Sequence, residues 1–537
     1  MAVDVRRFPW IRRFAADYVH AFPNVAAFFN GNPSSPRDWS AAIERSQARA
    51  RPRAGIASVV AAQQGRRGAP PAALEAGARL ADASVVAVVT GQQAGLFGGP
   101  MFTILKALTA LKLARQLSAT HNVPVVTVFW VEGEDHDWEE VRSCSVFNDR
   151  LEPCTVGLPV HTGAESQPVA RVAIAPSISD VIDELARTLP STEFTPALLD
   201  QLRDAYAAGR GMADAFARWL ERVLGGQGLI VYDASDSAAK PLVRDVFARE
   251  VATAGQTSRL AAAAGADLAA RGYHAQVQPS DDGLALFRLA PERRPIRQQD
   301  GRFVVGDRAY AAGELLADVS ERPVDFSPSV LLRPIVQDSV FPTICYVAGP
   351  NELAYLGQLR GVYEHFGVPM PIMYPRASAT VLDSASLRFL TKYGLPLEAL
   401  QAQDEAALNT LLAAQIPATV DESFTAMARG LESGMRPLID AVATIDPTLQ
   451  GAAQSTLGRM EHDLQTLRGK MIQAAKRRDE TLRRQFTRTR ALAFPRGHAQ
   501  ERTIGFVSFL NQYGPALVDR LTDELPLDMG HHWIVTI

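Results

Sequence analysis

Short apolar runs alternate with longer segments of helical periodicity over most of this chain. The first run, at 84–89, precedes residues 101–118, where apolar side chains recur at helical spacing, and a second run follows at 123–131. Short uncharged runs are typical of buried parallel strands, and two of them around one helix form a βαβ unit with a right-handed crossover. The pattern therefore predicts an α/β fold built on a parallel sheet.

Other parts of the chain extend this pattern. Residues 273–306 alternate with a period of two around Asp281-Asp282-Gly283, which predicts a small antiparallel hairpin insert. The remaining parallel strands are expected at 228–233, 330–335, 343–348 and 370–374. Helices are expected at about 35–51, 70–82, 180–188, 197–224, 238–265 and 351–366.

From about residue 380 the sequence becomes one of long helices. Asp446-Pro447 and Gly451 separate two stretches with apolar residues spaced by threes and fours, which predicts a helical hairpin with coiled-coil-like packing and a kink at Pro437. The first arm's seam is expected at Phe424, Met427, Leu431, Met435, Leu438, Val442 and Ile445. The second is expected at Leu457, Met460, Leu464, Leu467, Met471 and Ala474.

These patterns divide the chain into three parts. We expect a core over 1–380, with insertions at about 150–225 and 265–325, followed by an all-α coiled-coil hairpin domain over 381–495. The last part, 496–537, ends in an apolar strand-like run that we expect to return to the main sheet of the core.

Composition and charge narrow the classes of protein. The chain has 537 residues, is 47% hydrophobic, and carries 55 basic against 58 acidic side chains, a formal net charge of −3. We expect no nucleic-acid partner, because there is no broad basic field, and no membrane partner, because no long uncharged apolar run occurs. Three scattered cysteines predict no disulfide framework, and the N-terminus lacks the apolar run of a signal peptide. A cytoplasmic location is expected.

The stretch from Thr90 to Pro100 joins the first predicted strand to the first helix. It contains four glycines, Gly91, Gly95, Gly98 and Gly99. Glycines let backbone N–H groups approach a ligand, and a helix N-terminus favours an anion, although no P-loop or dinucleotide lettering is present. The stretch is either an anion-binding turn, in which Gln92 and Gln93 are the first side chains to substitute, or a plain tight connection.

An acidic run, EGEDHDWEE from Glu132 to Glu140, follows the second strand at the sheet edge where open α/β folds bind ligands. Asp135, His136 and Asp137 are the candidate catalytic residues, since they suit an ammonium group, a divalent ion or a general base. The alternative is an acidic first helical turn, which is favoured for Glu139 and Glu140. No metal ligand is assigned, because no second His or Cys has zinc-site spacing.

A second glycine-bearing turn follows the strand at 343–348. Its Asn351 and Glu352 either bind polar ligand groups such as ribose hydroxyls or cap the next helix. Arg376 and Ser378, beyond the last predicted strand, are candidates for holding phosphate groups.

Arg333 and Asp338 lie within the stretch LLRPIVQD, where the sequence offers two interpretations. The two residues either form a structural ion pair or line the ligand cleft.

Several stretches resemble the bacillithiol-biosynthesis cysteine-adding enzymes, a family of cysteine ligases. They are TGQQAGLFGGPMFTILKALTALKLA, VFWVEGEDHDWEEV, VLLRPIVQDSVFPTICYVAGPNELAYLGQL, PIMYPRAS and PRGHAQER…FLNQYG, and they span the chain in the family's order. The resemblance implies a Rossmann-like core with inserted segments, akin to class I aminoacyl-tRNA synthetases, and a C-terminal coiled coil through which two chains dimerise. It also implies that cysteine is added to glucosaminyl-malate by an amide bond, in the last step of bacillithiol synthesis.

Amide formation of this kind requires activation, because a carboxylate is a poor acyl donor. We expect ATP (or ADP) as cofactor, with Mg²⁺ entering alongside it, and a cysteinyl adenylate is the working hypothesis. Gly91 to Gly99 and Arg376 would stabilise phosphate charge, while one carboxylate of the run at 135–137 positions or deprotonates the glucosamine amine. The synthetase HIGH and KMSKS lettering is absent. The alternatives are nucleotidyl or phosphoryl transfer to another small molecule, and a non-catalytic coiled-coil scaffold.

Overall fold

A computed structural model describes residues 1–160, 167–289, 292–414, 418–478 and 480–537. The chain forms two compact units, one of residues 1–380 with 500–535 and one of residues 381–499 with 536–537. The strands are β1 Ala2–Asp4, β2 Val86–Gln93, β3 Val125–Glu132, β4 Ser143–Phe147, β5 Pro153–Gly157, β6 Leu229–Asp233, β7 Gly283–Leu289, β8 Arg293–Gln299, β9 Arg302–Val305, β10 Arg308–Tyr310, β11 Phe326–Pro328, β12 Thr343–Ala348, β13 Ile372–Pro375, β14 Ser378–Leu382 and β15 His531–Thr536.

Helices account for most of the remaining chain. Those up to residue 380 are α1 Arg13–His20, α2 Pro36–Ala48, α3 Arg53–Arg67, α4 Pro71–Ala78, α5 Phe102–His121, α6 Trp138–Val141, α7 Ile178–Thr188, α8 Thr195–Ala205, α9 Met212–Leu224, α10 Arg244–Ala252, α11 Gln256–Ala270, α12 Ala312–Glu321, α13 Arg333–Val340, α14 Pro350–Leu356 and α15 Arg360–Phe366. The others are α16 Ser384–Tyr393, α17 Ala406–Ala413, α18 Ala418–Val442, α19 Leu449–Arg478, α20 Glu480–Ala493, α21 Gln500–Thr503, α22 Phe506–Tyr513 and α23 Leu517–Glu524.

The main sheet is five-stranded and parallel, in the order β13-β12-β2-β3-β6, so the predicted Rossmann-like α/β fold is confirmed. β2 is uncharged because both of its faces are buried: Ala87 and Val89 pack into one apolar layer, and Val86 and Val88 pack into the other. Each of the buried valines contributes roughly 1.5–3 kcal/mol of burial free energy. β3 and β6 lie on one side of β2, whereas β12 and β13 lie on its other side. The strand order therefore reverses between β2 and β12, and ligands bind at such switch points in parallel sheets.

The turn that follows β2 begins later than predicted. β2 continues to Gln93, so residues 90–93 lie in the strand and not in a turn. Gly91 pairs with Trp130 of β3, and a Cβ atom on it would lie 2.7 Å from the Trp130 carbonyl oxygen. This glycine is therefore required by the close approach of the neighbouring strand.

One other strand prediction and one turn prediction are wrong, although the small antiparallel insert expected within 273–306 does form, as β7, β8 and β9. Residues 333–340 form helix α13, with Pro334 in its first turn, instead of the strand expected at 330–335. The sequence misleads there because an apolar run describes a buried helix as well as a buried strand. Asp281-Asp282-Gly283 does not form the hairpin turn but leads into β7, the second strand from one edge of the antiparallel sheet β10-β9-β8-β7-β11.

The C-terminal strand β15 also differs from its prediction. It does not join the main sheet but lies between β1 and β14 in a separate three-stranded sheet. Its register places His532 opposite Val3, so the last strand is paired with the first strand of the chain.

The second unit contains the predicted helical hairpin. α18 and α19 pack against each other, and Arg468 of α19 forms an ion pair with Asp421 of α18 at 2.9 Å. Half-buried side chains recur at Phe424, Leu431, Met435 and Val442, as expected of a seam. Three residues of the predicted first seam, Met427, Leu438 and Ile445, are instead exposed. Among the described residues, no helix combines the length and apolar character needed to cross a bilayer.

Candidate functional site

A cavity of about 530 Å³ lies at the carboxyl ends of β2, β3 and β12. This is the switch-point edge of the sheet, where parallel strands leave a crevice for a ligand. Its lining combines aromatic rings with many charged side chains. The charged ones are Lys106, Glu132, Asp135, Glu140, Arg293, Arg333, Glu352, Arg376 and Arg502.

Lys106 of α5 was not among the predicted site residues. Its ammonium group is buried and donates hydrogen bonds to the Gly91 carbonyl at 2.8 Å and to Gln92 Oε1 at 3.1 Å. It also forms an ion pair with the carboxylate of Glu352. A charged residue among the apolar neighbours of a predicted helix was the one signal in the sequence that could have identified it.

Lys106 and Glu352 influence each other's pKa. Burial raises the pKa of Glu352, but the Lys106 charge and the hydrogen bonds outweigh it and leave that pKa below its usual value. Burial lowers the pKa of Lys106, and Glu352 opposes this change. Glu352 also accepts the Gly349 N–H at 2.7 Å and the Tyr346 hydroxyl at 2.9 Å, so it caps α14 and lines the cavity at the same time. Asn351 is exposed at the cavity mouth.

The glycines beyond β2 are not arranged around the cavity. Gly98 N–H contacts the Tyr206 hydroxyl at 3.0 Å, and that hydroxyl donates to the Gly95 carbonyl at 3.2 Å. The N–H groups of Gly95 and Gly99 bond to carbonyl oxygens of Gln93 and Leu96. The structure therefore places only Gly91, Gln92 and Gln93 of this stretch in the cavity wall, and these other N–H groups are already used within the protein.

Thr90 is also directed away from the cavity. It is fully buried, and its hydroxyl donates to the Val347 carbonyl of β12 at 2.9 Å. This contact ties the two strands at the switch point together.

The acidic run is divided between two surfaces. Asp135 lines the cavity and accepts a hydrogen bond from Gln93 Nε2 at 3.0 Å. His136 and Asp137 instead face a neighbouring open cleft, and Asp137 caps α6 by accepting the Glu140 N–H at 3.1 Å. Of the three predicted catalytic residues, the structure brings only Asp135 into the main cavity.

Glu139 and Glu140 lie in the first turn of α6, as predicted, but their side chains have different surroundings. Glu139 pairs with Arg142 at 2.9 Å on the surface. Glu140 lines the cavity, where burial and then the Asp137 carboxylate raise its pKa. A carboxyl group with a raised pKa in a cavity is a candidate proton acceptor.

Arg376 lines the cavity, but its charge is already compensated. Its Nη2 lies 2.7 Å from Glu501 Oε1, and both side chains are buried. Glu501 also accepts from the Ser378 hydroxyl at 3.1 Å and from the Ala379 N–H at 2.9 Å. Burial raises the pKa of Glu501, but Arg376 outweighs this and leaves it lowered. Ser378 itself lies in a small separate pocket of about 50 Å³ and not in the main cavity.

Arg502 and Arg333 are the cavity arginines without an ion pair among the described residues. Arg333 lies 6.0 Å from the ring centre of Trp130 and 5.6 Å from that of Tyr346. It donates to the Tyr355 hydroxyl at 3.4 Å. Burial lowers the pKa of Arg333, but Tyr355, Tyr346 and Glu132 more than reverse this and raise it. Arg333 also donates to Gln337 Oε1 at 3.0 Å, so its guanidinium is partly used within the protein. Neither arginine has a carboxylate partner among the described residues, and both charges can therefore attract an anion.

Asp338 does not pair with Arg333. It is buried and accepts a hydrogen bond from the Tyr363 hydroxyl at 2.6 Å. Of the two interpretations of LLRPIVQD, the structure supports cavity lining for Arg333 and an internal contact for Asp338. Within the described parts of the chain, no three His, Cys, Asp or Glu side chains are grouped as metal ligands would be.

Comparison with known protein families covers nearly the whole chain. Residues 1–377 match the model described as "Bacillithiol biosynthesis BshC, N-terminal Rossmann-like domain". Residues 379–537 match the corresponding C-terminal coiled-coil domain, although residues 500–535 pack with the first unit here.

Individual relatives give the same result. A protein of Salinibacter ruber is 34% identical over 527 residues, covering 97% of this chain and 95% of its own. Proteins of Chlorobaculum tepidum, at 35% over 83% of this chain and 82% of theirs, and of Symbiobacterium thermophilum, at 34% over 89% and 88%, are also similar. All three bear the name "Putative cysteine ligase BshC".

Proposed function

This chain belongs to the BshC family of bacillithiol biosynthesis, and from that premise we propose that it is a ligase joining cysteine to glucosaminyl-malate through an amide bond. The observation that carries the proposal is the charge of the cavity. Two arginines that form no ion pair among the described residues, Arg333 and Arg502, share it with the carboxylates of Asp135 and Glu140.

These charges suit the groups that the two substrates carry. Arginine binds carboxylate and phosphate oxygens through paired N–H donors, which fits either the carboxylates of the two substrates or the phosphates of an activating nucleotide. Carboxylates attract the ammonium groups of cysteine and glucosamine. A volume of about 530 Å³ falls within the range of roughly 300–1,000 Å³ found for small-molecule sites.

The residues also suit a proton transfer. The bond forms between the carboxyl carbon of cysteine and the amine nitrogen, so the amine must lose a proton as it reacts. Asp135, held by Gln93, is placed to orient the amine or to accept that proton, and Glu140 is the second carboxylate at hand. His136 and Asp137 lie outside this cavity and take no direct part in the proposal.

ATP is the proposed cofactor, and when bound it supplies the group that turns the cysteine carboxylate into an acyl donor. Arg333 and Arg502 would hold its phosphate oxygens, with Mg²⁺ entering alongside the nucleotide. These arginines would hold the phosphates in place of the glycine-rich stretch, because the N–H groups of Gly95, Gly98 and Gly99 already have acceptors.

The direct test is to incubate the purified chain with cysteine, glucosaminyl-malate and ATP, and to analyse thiols and nucleotides. We expect a new thiol of the mass of the amide product, formed together with AMP, and none when ATP or cysteine is omitted. Absence of the thiol with every nucleotide tried would contradict the ligase. Formation of ADP and phosphate would contradict only the adenylate route.

We also infer that two copies associate through the second unit. Met427 and Leu438 are exposed apolar residues eleven positions apart on α18, and exposed Ile445 follows in the turn after that helix. Leu449, Met460 and Leu467 are exposed on α19 with spacings of eleven and seven residues. Eleven residues make about three helical turns and eighteen make five, so the apolar residues of each helix lie on one face. Exposed apolar stripes of this kind mark interaction surfaces, and a second copy offers a matching one.

A further inference from the structure

We propose that Gln92 is a catalytic residue whose side-chain amide donates a hydrogen bond to the carbonyl oxygen of the activated cysteine while the new amide bond forms. This role rests on the proposed function, because it belongs to that reaction. Gln92 is the last residue but one of β2 and pairs with Val131 of β3, so its backbone is held at the sheet edge that carries the cavity. Its half-buried side chain lines that cavity.

Lys106 fixes the direction of the Gln92 amide. The Lys106 nitrogen is surrounded by three oxygen acceptors, the Gly91 carbonyl at 2.8 Å, Gln92 Oε1 at 3.1 Å and the Glu352 carboxylate. These match the three N–H donors of an ammonium group, which accepts no hydrogen bond, so the amide atom that faces it is the oxygen. The Nε2 atom of Gln92 is consequently turned away from Lys106.

The Nε2 group of Gln92 is not used within the protein. Among the described residues no acceptor contacts it, and it does not belong to the unpaired polar atoms that are sealed from solvent. The neighbouring Gln93 differs, because its Nε2 donates to Asp135 at 3.0 Å. The end of β2 therefore offers one free, neutral donor beside a carboxylate that is a candidate proton acceptor.

Attack of an amine on a carboxyl carbon requires both of these groups. As the C–N bond forms, an electron pair of the C=O bond moves onto the oxygen, and a proton of the amine passes to Asp135 or Glu140. The C=O bond then forms again, and the activating group leaves with the electron pair of its bond to carbon. A donor already in place at the oxygen stabilises the negative charge that develops there.

The neutral amide of Gln92 suits this oxygen better than it suits the permanent charges of the substrates. Carboxylate and phosphate groups are charged before the reaction begins, and Arg333 and Arg502 offer opposite charges to them. The carbonyl oxygen gains its charge only in the transition state. A neutral donor held there by Lys106 therefore accelerates the reaction without tightening the binding of the substrates.

Two variants of the full chain test Gln92, and a third is their control. Gln92→Met removes the donor and keeps nearly the same length. Gln92→Glu keeps the shape but replaces the donor with an acceptor. Gln299→Met is the matched control, because Gln299 also lies at the end of a strand, β8, but is exposed and is not part of the cavity wall.

The measurement is the rate of thiol formation as a function of both substrate concentrations. We expect kcat to fall about 100-fold in both Gln92 variants, as for the loss of other donors to an oxyanion. The KM values for cysteine and glucosaminyl-malate should change far less, because the hydrogen bond strengthens only in the transition state. Gln299→Met should match the parent. A parental kcat in Gln92→Glu, or a raised KM with an unchanged kcat, would overturn the catalytic role.

The positioning of Gln92 by Lys106 is tested in the double variant Lys106→Met with Glu352→Gln, which removes both charges of the ion pair. The amide is no longer held there, so adding Gln92→Met should cost far less in kcat than it costs in the parent. An equal loss in the two backgrounds would overturn the positioning by Lys106.

The same assay separates the role of Gln92 from the proposed function. A parent chain that forms no thiol would contradict the proposed function, and the role of Gln92 with it. Thiol formation with the same kcat in the parent and in both Gln92 variants would overturn the role of Gln92 alone.

Discussion

The buried Lys106 and the half-buried Glu352 form an ion pair in the cavity wall, and each balances the charge of the other. Lys106→Met leaves the half-buried Glu352 carboxylate without its cation, so we expect a loss of about 2 kcal/mol of unfolding free energy, less than for a fully buried pair. Urea unfolding measures this loss.

The control for Lys106 is the double variant Lys106→Met with Glu352→Gln. It removes both charges, so it should recover much of the lost stability while substrate binding stays impaired. Equal destabilisation of the single and double variants would show that Glu352 carries no unbalanced charge in Lys106→Met.

His532 gives the chain a dependence of stability on pH. Its ring nitrogens contact the hydroxyls of Ser378 at 2.7 Å and Thr380 at 2.8 Å, and burial lowers its pKa to about 4. The unfolded chain takes up a proton near pH 6.5, so acid favours unfolding. The contribution of neutral His532 to the free energy of unfolding is therefore fully present above about pH 6.5. It is lost as the pH falls towards 4, and the total loss is about 3 kcal/mol.

Unfolding curves measured between these pH values test the His532 prediction. His532→Gln keeps a polar side chain that does not titrate, so the difference between the parent and variant curves isolates this residue. We expect that difference to shrink as pH falls. Parallel curves across the range would contradict a buried neutral His532.

At the scale of elements, the apolar stripes of α18 and α19 are the feature most open to test. Leu438→Glu combined with Leu467→Glu places a charge on each stripe, at positions 50% and 51% exposed in the single chain. We expect the dimer to dissociate without loss of helix, because neither side chain is buried within its own chain. Light scattering after size-exclusion chromatography measures the mass, and circular dichroism measures the helix content.

The control for these stripes is Ser433→Glu with Glu461→Gln, which alters exposed polar positions on the same helices. This variant should remain dimeric. A monomeric parent protein, or a stripe variant that stays dimeric, would remove the case for association through this surface.

At the scale of the whole molecule, the cavity depends on a segment from near the end of the chain. Glu501 of α21 binds Arg376, Ser378 and Ala379, and the next residue, Arg502, lines the cavity. Glu501→Gln leaves Arg376 buried without its anion, so we expect about 3 kcal/mol lower stability. We also expect a raised KM, since Arg502 is less firmly held.

Hydrogen exchange with detection by mass spectrometry measures how firmly the segments around Glu501 are held. Amides at 376–382 and 500–505 should exchange faster in Glu501→Gln, while those of α18 and α19 should not change. Uniformly faster exchange across the chain would indicate general destabilisation, and unchanged exchange at both segments would contradict the anchoring role of Glu501.

Several features could be predicted from local pattern alone. Short uncharged apolar runs, such as 86–89, identified the parallel strands, whose two faces are both buried. After residue 380 the apolar residues are spaced three and four positions apart, and this spacing identified the helical unit. The same logic failed at α13, where periodicity does not separate a short buried helix from a strand. It also failed at β15, because strand partners are chosen by long-range contacts that a single run does not encode.

The sequence by itself determined the fold class, the sheet edge that would carry a site, and the presence of Gln92, Gln93, Asp135 and Glu352 at that edge, because strand ends and turns are local properties. Only the tertiary structure decided which polar groups are free. The N–H groups of Gly95, Gly98 and Gly99 and the charge of Arg376 are used internally. Arg333 and Arg502, from distant segments, keep charges that have no carboxylate partner among the described residues. The physical reason is that a polar group is free or used according to its hydrogen-bond and ion-pair partners, and partners from distant segments meet only when the chain is folded.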